Sequence, residues 1–149
     1  MIGVNKPFDK GLHTKNDPKS RRLIKDFFAE RGLVLIDHPN KYDIDLISED
    51  GIIRVEVEHR LNWVNAVFPY AEINVPERKA KFFAKGKAHY CILSKEYEYV
   101  GFISAEKIQK YIKPRFLKES SNRFVKENEF FYKVPKEEFE FYQITQNNE

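Results

Sequence analysis

The chain predicts an α/β (α+β) fold, a mixed central sheet flanked by helices, in one domain spanning residues 1–149. Three observations carry this expectation. A chain of 149 residues suits one domain, and at that length roughly 68–70% of the unfolded surface is buried, enough for a core without staples. Apolar residues recur at helical spacing in some segments and alternate with polar ones in others, so both kinds of element are present. Those segments follow one another as helix, three strands, helix, two strands, helix and a terminal extension.

Residues 1–16 are polar and weakly patterned, and read as a loose N-terminal arm. "NDPKSRRLIKDFFAERG" predicts a helix capped by Asn16 or Asp17, with Pro18 in its first turn and Gly32 at its end. Leu23, Ile24, Phe27 and Phe28 give it one apolar face. "LVLIDH" reads as a strand and "PNK" as a turn. In "YDIDLIS", Tyr42, Ile44 and Leu46 face one way, Asp43 and Asp45 the other. Glu49, Asp50 and Gly51 form a tight hairpin turn. The next strand, "GIIRVEVEHR", splits into an apolar row of Ile53, Val55 and Val57, continued by His59, and a charged row of Arg54, Glu56, Glu58 and Arg60. "LNWVNAVFPY" is a short helix or a loop over the sheet, and "AEINV" a short strand. "PERKAKFFAKG" predicts a helix between Pro76 and Gly86. "HYCILS" and "YVGFIS" are strands joined through "KEYE". "SAEKIQKYI" is a helix capped by Ser104, with Lys107 and Lys110 outward. "EFFYKVP" closes the pattern as a strand, and 143–149 read as a frayed tail.

Composition removes several function classes. No apolar run approaches the ~20 residues of a membrane span, and the N-terminus lacks the apolar stretch of a signal peptide. Cys91 is the only cysteine, so an internal disulfide and a Cys-rich zinc site are both excluded. A cytoplasmic setting without membrane contact is the simplest expectation. Gly-rich phosphate loops, nucleophile elbows, dinucleotide fingerprints and a second His at metal-ligand spacing are absent. Charge is uneven: the net is +3, yet residues 36–58 hold seven Asp/Glu against two Lys/Arg, while 75–95 hold six Lys/Arg against one Glu. An acidic centre between basic segments is either a mixed solvated surface or a metal site framed by phosphate-binding cations.

The hairpin sharpens that choice. Folding "YDIDLIS" onto "GIIRVEVEHR" brings Asp43 and Asp45 beside Glu56 and Glu58. Carboxylates so close repel, and something must compensate. One reading is a wet sheet face whose row is salt-bridged by Arg54 and Arg60. The other is a divalent cation, since Mg²⁺ takes one or two carboxylates and completes its shell with water and substrate phosphate. Paired carboxylates also serve glycoside hydrolysis, which the small size and basic flanks make less attractive.

A helix, an Asp-bearing strand, a tight turn and an E-x-E strand resemble the PD-(D/E)XK nuclease superfamily, through Asp45 in "YDIDLI" and Glu56 and Glu58 in "VEVEHR". The resemblance runs from Lys19 to about Ile103 and implies a restriction-endonuclease-like αβββαβ core. It implies that Asp45 and Glu56 bind Mg²⁺ or Mn²⁺, with Glu58 standing where the family usually has lysine, as a further metal ligand or general base. Lys79 or Lys81 of "PERKAKFF", or Arg60, are the candidates to supply the missing cation, and Glu30 resembles the extra acidic residue some members place beside the metal. The expected activity is that of a metal-dependent endonuclease or nuclease acting on DNA. The alternative is a catalytically impaired module of the same fold that binds nucleic acid or a protein partner without cleavage.

Arg78, Lys81, Lys19 and Arg22 are the expected phosphate contacts, or else solvated helix faces. Trp63, Phe68 and Tyr70 follow the acidic strand closely and either stack on bases or pack in the core, packing being the better expectation for each. His59 and Cys91 read as packed residues. A homodimer would suit double-strand cleavage, but no segment announces an interface.

Overall fold

The computed structural model describes residues 10–40, 43–83, 87–112, 117–119 and 130–144. Helix α1 covers Lys10–Ala29. It starts earlier than Pro18 predicts: this proline lies inside the helix, where it removes the hydrogen bond to the carbonyl four residues back, so the expected arm of 1–16 is helical from Lys10 onward. The helix ends as expected at Gly32, whose φ of +88° suits glycine; Leu33 N–H donates to the Phe28 carbonyl and Gly32 N–H to that of Ala29.

Three strands follow as an antiparallel meander, β1 (Leu35–Asp37), β2 (Leu46–Ser48) and β3 (Ile53–His59). The β2–β3 register pairs Leu46 with Val55 and Ile47 with Arg54. Next come β4 (Glu72–Pro76), a 3₁₀ turn over Glu77–Lys79 and a single turn of helix, α2 (Ala80–Phe83). The helix expected up to Gly86 is thus described only to Phe83. Strand β5 (Lys87–Leu93) lies parallel to β3, and β6 (Tyr99–Ser104) returns antiparallel. Helix α3 (Ala105–Ile112) is capped by Ser104, whose Oγ accepts the Lys107 N–H at 3.3 Å. Strands β7 (Leu117–Glu119), β8 (Phe130–Pro135) and β9 (Glu140–Gln143) complete the described chain.

The expectation of a mixed sheet with helices holds, but the strands divide between two sheets. A six-stranded sheet runs β1-β2-β3-β5-β6-β9, and a three-stranded antiparallel sheet runs β4-β8-β7. Strand β9 takes in Gln143, the first residue of the expected frayed tail; Ile144 N–H donates to the Glu98 carbonyl, and the rest of the tail lies outside the described residues.

The large sheet is buried on both faces. On one, Leu23, Ile24, Phe27 and Phe28 of α1 pack against Val55, Val57, Cys91 and Leu93. On the other, Tyr90 and Ile92 pack with Ile73 and Val75 of β4, Val134 of β8, Phe83 of α2 and Ile108 of α3. The small sheet therefore lies over the face that carries the charged row of β3.

Candidate active site

Alternation along β3 sends Val55 and Val57 toward α1 and Glu56 and Glu58 toward the small sheet. In the parallel register Glu56 lies beside Tyr90 and Glu58 beside Ile92. The charged row is therefore covered most fully at Glu56, which keeps only 6% of its surface exposed, while Arg54, Glu58 and Arg60 are half-buried. A carboxylate this buried needs a cation.

Lys79 supplies it. Pro76 ends β4, the 3₁₀ turn begins, and Val75 and Phe83 anchor the segment in the core on either side. Lys79 between them is turned inward and 8% exposed, with Nζ 3.0 Å from Glu56 Oε2. Burial pushes the Lys79 pKa down, but Glu58, Tyr90 and Glu56 outweigh it and leave it raised, so the ammonium stays charged. Lys81, two residues on, is exposed, its Nζ 5.3 Å from the Phe82 ring centre.

Glu58 is held by different partners. Arg60 Nη2 lies 3.2 Å from Glu58 Oε1 and also donates to the Tyr90 hydroxyl at 2.9 Å and to the Asn74 carbonyl at 2.7 Å. The Tyr90 hydroxyl donates to Glu58 Oε1. Burial pushes the Glu58 carboxyl up, yet Arg60, Lys79 and Tyr90 together hold it down at about 2. A carboxylate held that low stays ionised at neutral pH. Two carboxylates and two cations thus balance across the buried patch. Tyr90 is the member that sequence reasoning missed, because in "HYCILS" it passes for one more apolar strand residue.

Asp45 lies at a bend just before β2, where the expected alternation breaks: Ile44 packs on the small-sheet side and Leu46 on the α1 side, so the two do not face one way. Asp45 Oδ2 accepts the Val57 N–H at 2.8 Å, which fixes the carboxylate against β3. Asp43 is drawn away to Arg54 at 3.2 Å and His38 at 3.7 Å. The Ile44 N–H and then Arg54 and His38 overcome burial and lower its pKa.

The wider set of expected ligands does not gather. Among the described residues no group of three or more His, Cys, Asp or Glu is placed to hold a metal ion. Glu30 is exposed in the turn after α1, 3.8 Å from Arg31, and Glu58 is occupied by Arg60 and Tyr90. Asp45 is fixed at the Val57 N–H, the residue after Glu56, and the second Glu56 oxygen, Oε1, is buried without a hydrogen-bond partner. A buried carboxylate oxygen without a partner fits a ligand to a divalent cation, with Asp45 a further carboxylate held against β3.

The expected phosphate contacts divide. Lys19 and Arg22 are exposed on α1, over one face of the sheet, while Arg78 and Lys81 are exposed near the 3₁₀ turn over the other. They do not form one basic surface, and Lys19 rests over the Tyr97 ring at 4.4 Å. The three aromatic residues divide as well: Trp63 and Phe68 are buried, as packing predicts, whereas Tyr70 is 55% exposed.

No helix among the described residues is long and apolar enough to cross a membrane. No protein-family model matches the chain, and no curated protein matches it.

Proposed function

We propose that this chain is a metal-dependent nuclease that hydrolyses DNA phosphodiester bonds, built on a restriction-endonuclease-like core. The observation that carries the reading is the 3.0 Å contact of Lys79 with the buried Glu56. It supplies, from a neighbouring element, the cation that an E-x-E strand lacks. The chain order gives further support: α1, the β1–β2–β3 meander, α2 and then β5 parallel to β3 follow the αβββαβ sequence, with β4 inserted before α2.

Asp45 and Glu56 are the residues that would hold Mg²⁺ or Mn²⁺. When bound, such an ion acidifies a water and polarises the phosphoryl oxygen. The chain's own side chains do the rest. Lys79, kept protonated at Nζ, places positive charge where the pentavalent phosphate gathers negative charge. Glu58, kept ionised, anchors Arg60 and the Tyr90 hydroxyl and so stiffens the wall behind Glu56. Arg60 is committed to Glu58, Tyr90 and the Asn74 carbonyl, so it is a positioning residue here rather than a catalytic one.

A cleavage panel tests this. The protein is expected to degrade DNA with Mg²⁺ or Mn²⁺, to stop with EDTA, and to fall below detection as Asp45→Ala or Glu56→Ala. Replacement of Lys79 by Met is expected to slow cleavage by about 10²–10³-fold, the scale for one electrostatic stabiliser. If single-stranded, double-stranded and branched DNA all survive both metals, the enzyme reading fails. A module that only binds would then retard DNA without metal and with a steep salt dependence.

A further inference from the structure

Beside the buried patch, past the end of β3, lies an open groove of about 400 Å³, at the small end of the ~300–1,000 Å³ typical of small-molecule sites. Arg60, Asn62, Phe68, Tyr70, Asn74 and Lys133 are among the residues that line it. Its charges are already paired: Arg60 with Glu58 at 3.2 Å, and Lys133 with Glu72, which also lines the groove, at 3.3 Å. A groove neutralised in this way is poorly suited to a phosphate. It suits a flat, uncharged, polar group. Tyr70 offers an exposed ring, propped edge-on by buried Phe68 with centroids 6.0 Å apart and an interplanar angle of 71°. Asn62 and Asn74 are exposed carboxamides, each carrying both donors and an acceptor.

We infer that this groove takes one unpaired nucleobase, stacked on Tyr70 and read at its edge by the Asn62 and Asn74 amides. That it is a base rather than another planar ligand rests on the nuclease reading above. A base inside a duplex has both faces stacked and its pairing edge occupied, so only a single-stranded or extruded base can enter. The preferred substrate is then DNA with an unpaired segment next to the scissile phosphate, such as a single strand, an overhang or a flap, rather than blunt duplex.

The test is metal-free binding, followed by fluorescence anisotropy in EDTA with labelled oligonucleotides of equal length, one single-stranded and one a blunt duplex. The wild-type protein is expected to favour the single strand. Tyr70→Ala is expected to weaken single-strand binding by about 5- to 150-fold, the span for losing one stacked base, and to leave duplex binding unchanged. Tyr70→Phe keeps a ring and is expected to retain the preference, and Asn62→Ala with Asn74→Ala to reduce it. Tyr70 is exposed, and a thermal melt of each variant confirms the fold. Equal affinity for both DNAs, or equal loss on both in Tyr70→Ala, overturns the inference. The two readings fail separately: a protein that cleaves without a Tyr70-dependent preference keeps the nuclease and loses the base site. One that binds single strands through Tyr70 but never cleaves loses the nuclease and keeps the base site.

Discussion

One strand carries two opposite interiors. Toward α1, Val55 and Val57 enter an apolar layer of Leu23, Ile24, Phe27 and Phe28. Toward the small sheet, Glu56 enters a layer where Lys79, Glu58, Arg60 and Tyr90 hold one another. Both layers are buried, but they are held differently. The apolar layer is non-directional and tolerates change in proportion to the volume lost. The ionic layer depends on matched partners, because each charge left alone keeps its full desolvation cost. A chain selected for stability alone would fill both faces with apolar residues. Glu56 and Lys79 on the second face carry a desolvation cost that an apolar pair would not.

The largest expected effect breaks this comparison directly. Lys79→Met leaves Glu56 buried and unpaired, and is expected to cost about 3–5 kcal/mol. Adding Glu56→Gln to the same chain is expected to restore most of that stability, since a neutral pair needs no counter-charge. Phe27→Ala on the other face is expected to cost about 3–5 kcal/mol as well, through the cavity it opens, with no single partner change able to rescue it. Urea titrations of the three variants beside the wild-type protein decide it. A Lys79→Met cost below about 1 kcal/mol would mean that the second face is wet after all.

The two faces are also expected to weaken in different pH windows. His89 lies on the α1 side between Phe28 and Phe102, each with its ring centre 6.2 Å away. Burial lowers its pKa from 6.5, with Glu140 only partly offsetting it. The unfolded chain takes the proton first, so stability begins to fall as pH drops below about 6.5 and levels off beneath the folded pKa. His89→Phe is expected to remove that step. Glu58 behaves as a depressed acid, with its folded pKa near 2 against 4.5. Its contribution is complete above about 4.5 and is lost as pH falls from there toward 2. Glu58→Gln is expected to flatten that lower limb and leave the His89 step untouched. Denaturant midpoints from pH 3 to 8 for both variants test the separation, and a single shared limb would sink it.

How far the sequence reached depends on the kind of information each feature needed. Local pattern was enough for the apolar face of α1, the "EDG" turn and the two rows of β3, because periodicity and turn chemistry lie within a few residues. It was not enough to tell Lys79 from Lys81, since a helix had been expected and a 3₁₀ turn points the two differently. It also left open whether the charged row met water, because the small sheet that covers it pairs Glu72–Pro76 with Phe131–Pro135, strands about sixty residues apart. The segment around strand β9 carries a usable signal, since Phe139 and Phe141 alternate with Glu138 and Glu140, but no strand is expected there beyond "EFFYKVP". Tyr90 offered no local signal, since only the parallel β3–β5 register brings its hydroxyl to Glu58.

The smallest predicted effect concerns the turn that makes both faces possible. Gly51 has φ +79°, and its N–H donates to the Ser48 carbonyl at 2.9 Å. Asp50 Oδ1 accepts from Ser48 Oγ at 2.6 Å and from the Ile52 N–H at 3.0 Å, and Ser48 Oγ accepts the Ile53 N–H at 3.0 Å. A Cβ added at Gly51 would meet only the Ile47 Cδ1 atom, at 4.0 Å, so Gly51→Ala strains the backbone without a clash. The expected cost is about 1 kcal/mol, a few degrees in Tm. Because the Ser48 and Asp50 side chains still hold the register, Asp45 keeps its hold on the Val57 N–H and cleavage per folded molecule is expected to be unchanged. A loss of cleavage well beyond the loss of stability would mean that Gly51 itself sets the register, since a slip of one residue would take the Asp45 carboxylate off the Val57 N–H.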